Sequence, residues 1–122
     1  DQEAPDMSSL KKIIKILRSG EQVVVFPEGA RTLDGKLQPG EAGVGLIAAK
    51  SNATIQPIRI FGAYKALPRG SGRLRFHPIT IVVGDPITLT PEERKTKGRE
   101  AYQAISDRIM AAIAKIKHPS ES

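Results

Sequence analysis

The residue types best suited to chemistry fall in one short run, Phe26-Pro27-Glu28-Gly29-Ala30-Arg31-Thr32. Pro27 stiffens the chain, and Gly29, lacking a Cβ, lets backbone N–H groups approach a ligand closely. Arg31 can offer a planar fork to a phosphate. Glu28 could hold that guanidinium in place or accept from a substrate hydroxyl. The run follows a β-branched stretch, and ligands of open α/β sheets bind beyond the carboxyl ends of strands. This layout suits anion capture at the mouth of a sheet. The same residues could equally form a Glu–Arg pair that fixes a loop and binds nothing, and spacing alone leaves both readings open.

Two other candidates fail on chemistry. Gly40-Glu41-Ala42-Gly43-Val44-Gly45 has the glycine spacing of a P-loop, but Leu46 and Ile47 stand where Lys and Ser/Thr would act on the phosphate and its Mg²⁺. Small residues that allow close helix packing explain it better. His77 sits in a strand pattern beside Pro78, and His118 lies near the end, so each reads as structural or solvated rather than as a general base. With two His and no Cys, a disulfide framework, a thiolate zinc site and a cysteine nucleophile are excluded, and no metal site is expected.

The elements that must position the run are legible from periodicity. Leu10, Ile13, Ile14 and Leu17 form one apolar stripe of a helix starting at Ser8 or Ser9 and stopped by Gly20, with Lys11, Lys12, Lys15 and Arg18 around it. Residues 23–26 read as a strand buried on both faces, of the kind found in parallel sheets. A long irregular stretch covers 27–40, a length that tends to be functional. Residues 42–50 read as a small-residue helix with Leu46 and Ile47 inward. Residues 55–61 alternate in part as a second strand, with Pro57 confined to an edge, a bulge or a strand start. A basic loop at 62–72 comes next, then strands at 74–76 and 79–83, broken or bent at Pro78. Thr90-Pro91-Glu92-Glu93 has the cap, first-turn proline and closing glutamate of a helix start. Tyr102, Ile105, Ile109, Ala112, Ile113 and Ile116 supply the last helix's apolar face.

At 122 residues the chain fits one domain, burying roughly two-thirds of its unfolded surface. The net charge of +6 points to anionic partners, phosphates and lipid headgroups among them. Aromatic residues make up only 4% and Trp is absent, which argues against a base-stacking platform, so nucleic acid is not expected. No apolar run approaches transmembrane length, and the first residues lack a signal-peptide layout.

The run at 26–32 closely resembles the Phe-Pro-Glu-Gly-Thr-Arg-Ser block of the glycerolipid acyltransferases. The surroundings agree: Leu17-Arg18-Ser19-Gly20, then Val23 to Val25, the block, and Asp34-Gly35 keep the family's order. Thr54-Ile55-Gln56-Pro57-Ile58-Arg59-Ile60 is similar to its later strand around a proline. Gly62-Ala63-Tyr64, Leu67-Pro68-Arg69-Gly70 and Val83-Gly84-Asp85-Pro86-Ile87 resemble the family's segments beyond that strand. The resemblance spans about residues 8–90.

It implies an α/β fold with a mixed, largely parallel sheet flanked by helices, like the second half of the acyltransferase domain. Residues 1–122 are expected as a single, partial domain, with C-terminal helices over 91–117. The implied activity is transfer of a fatty acyl group from acyl-CoA or acyl carrier protein, as co-substrate and with no cofactor, to a hydroxyl of a glycerophosphate or lysophospholipid. Glu28, Gly29, Arg31 and Thr32 would bind that acceptor, supported by Phe26, Pro27 and Pro57. The family's general base is a His in a His-x4-Asp motif; five positions after His77 comes Val82, and five after His118 lies past the last residue. No catalytic residue is therefore assigned within the chain, which is expected to be inactive alone. Ala30 and Thr32 depart from the block, and Gly40-Glu41 replaces an apolar-Lys pair. The resemblance also implies peripheral attachment to the cytoplasmic face of a membrane. The alternative is a non-catalytic basic module for anionic lipid, phosphate or a partner chain. An unpaired strand edge at 23–26 would then promote self-association.

Overall fold

The computed structural model describes residues 7–27, 40–62 and 78–121. Helix α1 (Met7–Arg18) buries Leu10 and half-buries Ile13, Ile14 and Leu17, as its stripe requires. Gly20, at φ +95°, ends it in the left-handed region open to glycine. Ser19 completes the stop, its Oγ donating to the Ile16 carbonyl at 2.6 Å. Helix α2 (Ala42–Ser51) buries Gly45, Ile47, Ala48, Ala49 and Ser51 and ends at Asn52, with φ 61°. Arg18 Nε donates to the Lys50 carbonyl at 2.8 Å, so the end of α1 satisfies one of the last-turn carbonyls of α2.

Strands β1 (Ile58–Phe61) and β2 (Thr80–Val83) pair antiparallel, with Ile58 opposite Val83 and Ile60 opposite Ile81. A further bridge joins Ile55 to Ile87. Three residue steps separate bridge from ladder on one strand (55 to 58) and four on the other (83 to 87), so the pair is bulged there. Pro57, which has no N–H to give, sits in that gap as the residue before β1; its carbonyl accepts from Gly84 N–H at 2.9 Å. Helix α3 (Pro91–Lys95) carries the complete capping box, Thr90 with Glu93. Helix α4 (Arg99–Lys115) is next in the chain, and a 3₁₀ turn (Pro119–Glu121) comes last.

The core lies between α2 and α4. Ala48 and Ala49 meet Ile105, Ile109, Met110 and Ile113, with Leu89 closing one side. The glycine-rich run of α2 explains the fit. A Cβ on Gly45 would run into the backbone carbonyl of Tyr102, so the two helices approach as closely as a missing side chain permits. The packing reading of 40–45 thus holds in place of a phosphate loop.

Two expectations are corrected. Residues 23–26 form no strand: Val24 is 82% and Phe26 67% exposed, and no ladder partner reaches them among the described residues. β-branched residues favour a strand only where a neighbour and two packing faces complete it, and the two described strands pair with each other. For the same reason the mixed, largely parallel sheet is not found among the described residues; the sheet there is two-stranded and antiparallel. The strand expected at 74–76 lies outside them. The α/β character itself stands.

Gly45→Ala should lower stability by about 1–3 kcal/mol or more, because backbone is what its methyl would strike. Gly43→Ala meets only Leu10 side-chain atoms, at 3.4 Å, and should be neutral or stabilising by up to about 1 kcal/mol from helix propensity. Denaturant unfolding of both variants checks the contrast. Glu93 links stability to pH. The Thr90 N–H donated to Glu93 holds the Glu93 carboxyl below its ordinary 4.5, with Arg108 adding to this and partial burial opposing it. A depressed folded pKa stabilises fully above the unfolded value and is lost as pH falls through the folded one. Glu93→Gln should therefore cost about 1 kcal/mol at neutral pH, and its deficit against the wild type should shrink below pH 4.5 in a pH series of thermal melts.

Candidate functional site

Glu28, Gly29, Arg31 and Thr32 lie outside the described residues, as do Ala30, Asp34, Gly35 and His77. The structure does place the pair of ends from which the 28–39 segment hangs. Pro27, half-buried, closes one end, and its carbonyl accepts from Glu41 N–H at 2.8 Å. Gly40, buried, closes the other, and its carbonyl accepts from Gln103 Nε2 at 2.8 Å. The segment bearing the anion-binding residue types therefore begins and ends at one place, the N-terminus of α2 where it meets α4. Glu41, at the N-cap position, makes no side-chain cap there. Sequence reasoning missed Gln103: 63 positions separate it from Gly40, and no local pattern links them.

Phe26, expected as a supporting residue, is mostly exposed. Pro57 is buried and takes an architectural position at the bulge. It also lines an open groove of about 410 Å³ with Val82, Pro86, Ile87, Ala112 and Ile116. Lys115, Lys117 and Asp85 supply the groove's charge. Two blocks distant in sequence, the proline strand at 54–60 and the Val83-to-Ile87 segment, thus converge on one surface.

His118 takes a structural place. Its Nδ1 accepts from the Ser120 N–H at 3.2 Å and lies 2.9 Å from Ser120 Oγ, while Nε2 lies 3.2 Å from Thr80 Oγ1. The ring meets Phe61 edge-on at 5.2 Å. Arg59 is likewise engaged, donating to the Ala114 and Ile116 carbonyls at 3.0 Å each and lying over the Phe61 ring at 4.8 Å. Lys11, Lys12, Lys15 and Arg18 are exposed along α1. Among the described residues no helix is long and apolar enough to cross a membrane.

An acyltransferase family model matches residues 1–61, which include the 26–32 run. A chloroplastic 1-acyl-sn-glycerol-3-phosphate acyltransferase of Brassica napus is 33% identical over 103 residues, covering 80% of this chain and 30% of that protein. A 1-acyl-sn-glycerol-3-phosphate acyltransferase of Bacillus subtilis is 32% identical over 87 residues, covering 71% of this chain and 41% of that one. The chain thus spans well under half the length of either relative. The crystal structure of a 1-acyl-sn-glycerophosphate acyltransferase from Thermotoga maritima matches with a TM-score of 0.57 at 24% identity, over 89% of this chain and 46% of that one, which speaks for the fold. The block at 26–32, the order of the segments around it and these matches agree: the chain belongs to the acyltransferase family.

Proposed function

We propose that this chain carries the acceptor-holding part of a glycerolipid acyltransferase, with 1-acyl-sn-glycerol-3-phosphate, the acceptor in its relatives' names, as the acceptor here. The observation that carries the reading is the family match over residues 1–61, the stretch that contains Glu28, Gly29, Arg31 and Thr32. In the reaction, the acceptor hydroxyl oxygen attacks the carbonyl carbon of an acyl thioester, acyl-CoA or acyl carrier protein. An ester bond forms, the carbon–sulfur bond breaks, the thiol leaves, and the hydroxyl proton passes to a base. Arg31 and backbone N–H groups near Gly29 hold the acceptor phosphate, and Glu28 orients the guanidinium or the hydroxyl. Holding both substrates together supplies much of the rate.

The base comes from outside the chain's own residues. Five positions after His77 stands Val82, not Asp, and the His118 ring is occupied by Thr80 and Ser120. Peripheral attachment to the cytoplasmic face of a membrane belongs to the same reading; the exposed cations of α1 support it through attraction to anionic headgroups.

A second reading, a non-catalytic module that pairs with a second copy, is favoured by one observation. Ile58, Ile60, Ile81 and Val83 form one aliphatic face of the sheet and are 42–62% exposed. Among the described residues no ionic side chain of β1 or β2 shares that face, so two chains of charge +6 could meet there without opposing cations from these strands.

The purified chain with acyl-CoA and lysophosphatidate should release thiol at the background rate, yet bind lysophosphatidate. Arg31→Ala should weaken that binding about tenfold or more. Robust turnover abolished by His77→Ala would show the base to be His77 and overturn the division of roles. For the second reading, light scattering should give a dimer that Ile81→Glu converts to a monomer; a wild-type monomer at high concentration counts against it.

A further inference from the structure

The two faces of the β1–β2 ladder meet different surroundings. One face is engaged by the end of α4: Arg59 reaches the Ala114 and Ile116 carbonyls, Phe61 meets His118, and Val82 shares a groove with Ala112 and Ile116. The other face carries Ile58 and Ile60 opposite Val83 and Ile81. Ile79, just before β2 and in step with Ile81 and Val83, extends it. All five are 42–62% exposed, so no described element covers this face. An apolar sheet face is completed by a second packed layer, and a contiguous exposed aliphatic patch marks an interaction surface. Residues 23–26 are incomplete in the same sense. Val24, Val25 and Phe26 are exposed, and the backbone groups of 23–26 find no backbone partner among the described residues.

We propose that the face formed by Ile58, Ile60, Ile79, Ile81 and Val83 docks the base-bearing part of an acyltransferase domain, an α/β unit that lays an apolar layer on the sheet and offers a strand edge to residues 23–26. The proposal rests on reading this chain as the acceptor-holding part. Three observations select that occupant. The chain covers 46% of the Thermotoga maritima structure and 41% of the Bacillus subtilis relative, so more than half of each lies outside the match, enough for a complementary layer. A bilayer offers no strand edge to an unpaired backbone, and no aromatic or basic side chain of β1 or β2, the types that sit at a lipid interface, shares the face. A second copy would cover the face but bring no base, leaving the proton of the acceptor hydroxyl without a destination.

The test co-expresses the full chain with a tagged segment of the Bacillus subtilis relative, the part outside its 87 matched residues. The tag should recover both in equal amounts, and hydrogen exchange at the Val24 and Val25 amides should be slower in the complex than in the chain alone. Ile81→Glu should weaken the pairing about tenfold or more. Val83→Thr, which keeps shape and β-branching, should weaken it less, and neither should lower the melting temperature of the chain alone. Acyl-CoA and lysophosphatidate should release thiol with the complex and with neither part by itself. Recovery of the tagged segment without this chain, pairing indifferent to both variants, or unchanged exchange at Val24 and Val25 overturns the proposal. So does a dimer of the chain that persists beside the segment and is dissolved by Ile81→Glu, which gives the face to a second copy. Binding to phosphatidylglycerol vesicles that Ile81→Glu abolishes overturns it in favour of lipid. A complex that forms through this face yet releases no thiol upholds the docking and overturns the catalytic reading instead.

Discussion

The absence of a side chain at Gly45 lets α2 lie against the backbone of Tyr102 on α4, and most of the described structure depends on that approach. It seats Ala48 and Ala49, which are too small to fill a wide gap, directly on Ile105, Ile109 and Ile113. Interiors are packed to crystal-like density, so a core built from alanines requires helices this close. The same approach carries the N-terminus of α2, with Gly40, onto Gln103, Ser106 and Met110. A separation larger by one methyl group would loosen the core and the end of the 28–39 segment together.

The sheet is attached to this pair by polar means. Arg59 reaches from β1 to the carbonyls of Ala114 and Ile116, where the end of α4 leaves acceptors without helical partners. A cation there is also favoured by the helix dipole. The consequence is a parity choice. Because side chains alternate along a strand, turning Arg59 toward α4 turns Ile58 and Ile60 away from it, and Ile81 and Val83 with them. Hydrogen bonding to a helix end has here prevailed over burial of four aliphatic residues, which gives the sheet its exposed apolar face.

The described residues on either side of the 28–39 segment are tied together. Pro27 and Glu41 bring the ends together, and α4 holds them in place. Charge does the complementary work: a net +6, with cations displayed along α1, raises the local concentration of phosphates before any specific contact forms.

Local signals in the sequence determined what local physics governs. The stripe of α1, its glycine stop and the Thr90–Glu93 box all depend on residues a turn or less apart, and each formed as its residues demand. The block at 26–32 was readable as an acyltransferase signature for the same reason: its residues are contiguous. Tertiary structure decided the rest. Residues 23–26 have every intrinsic preference for a strand, but a strand is completed by a neighbour that sequence does not name, and here none of the described residues pairs with them. Whether Ile58 or Arg59 faces the helix was settled by carbonyls more than fifty positions away. The partnership of Gln103 with Gly40 exists only because Gly45 admits α4. Pairing, facing and anchoring are long-range choices, set by which surfaces packing brings together and not by the preferences of neighbouring residues.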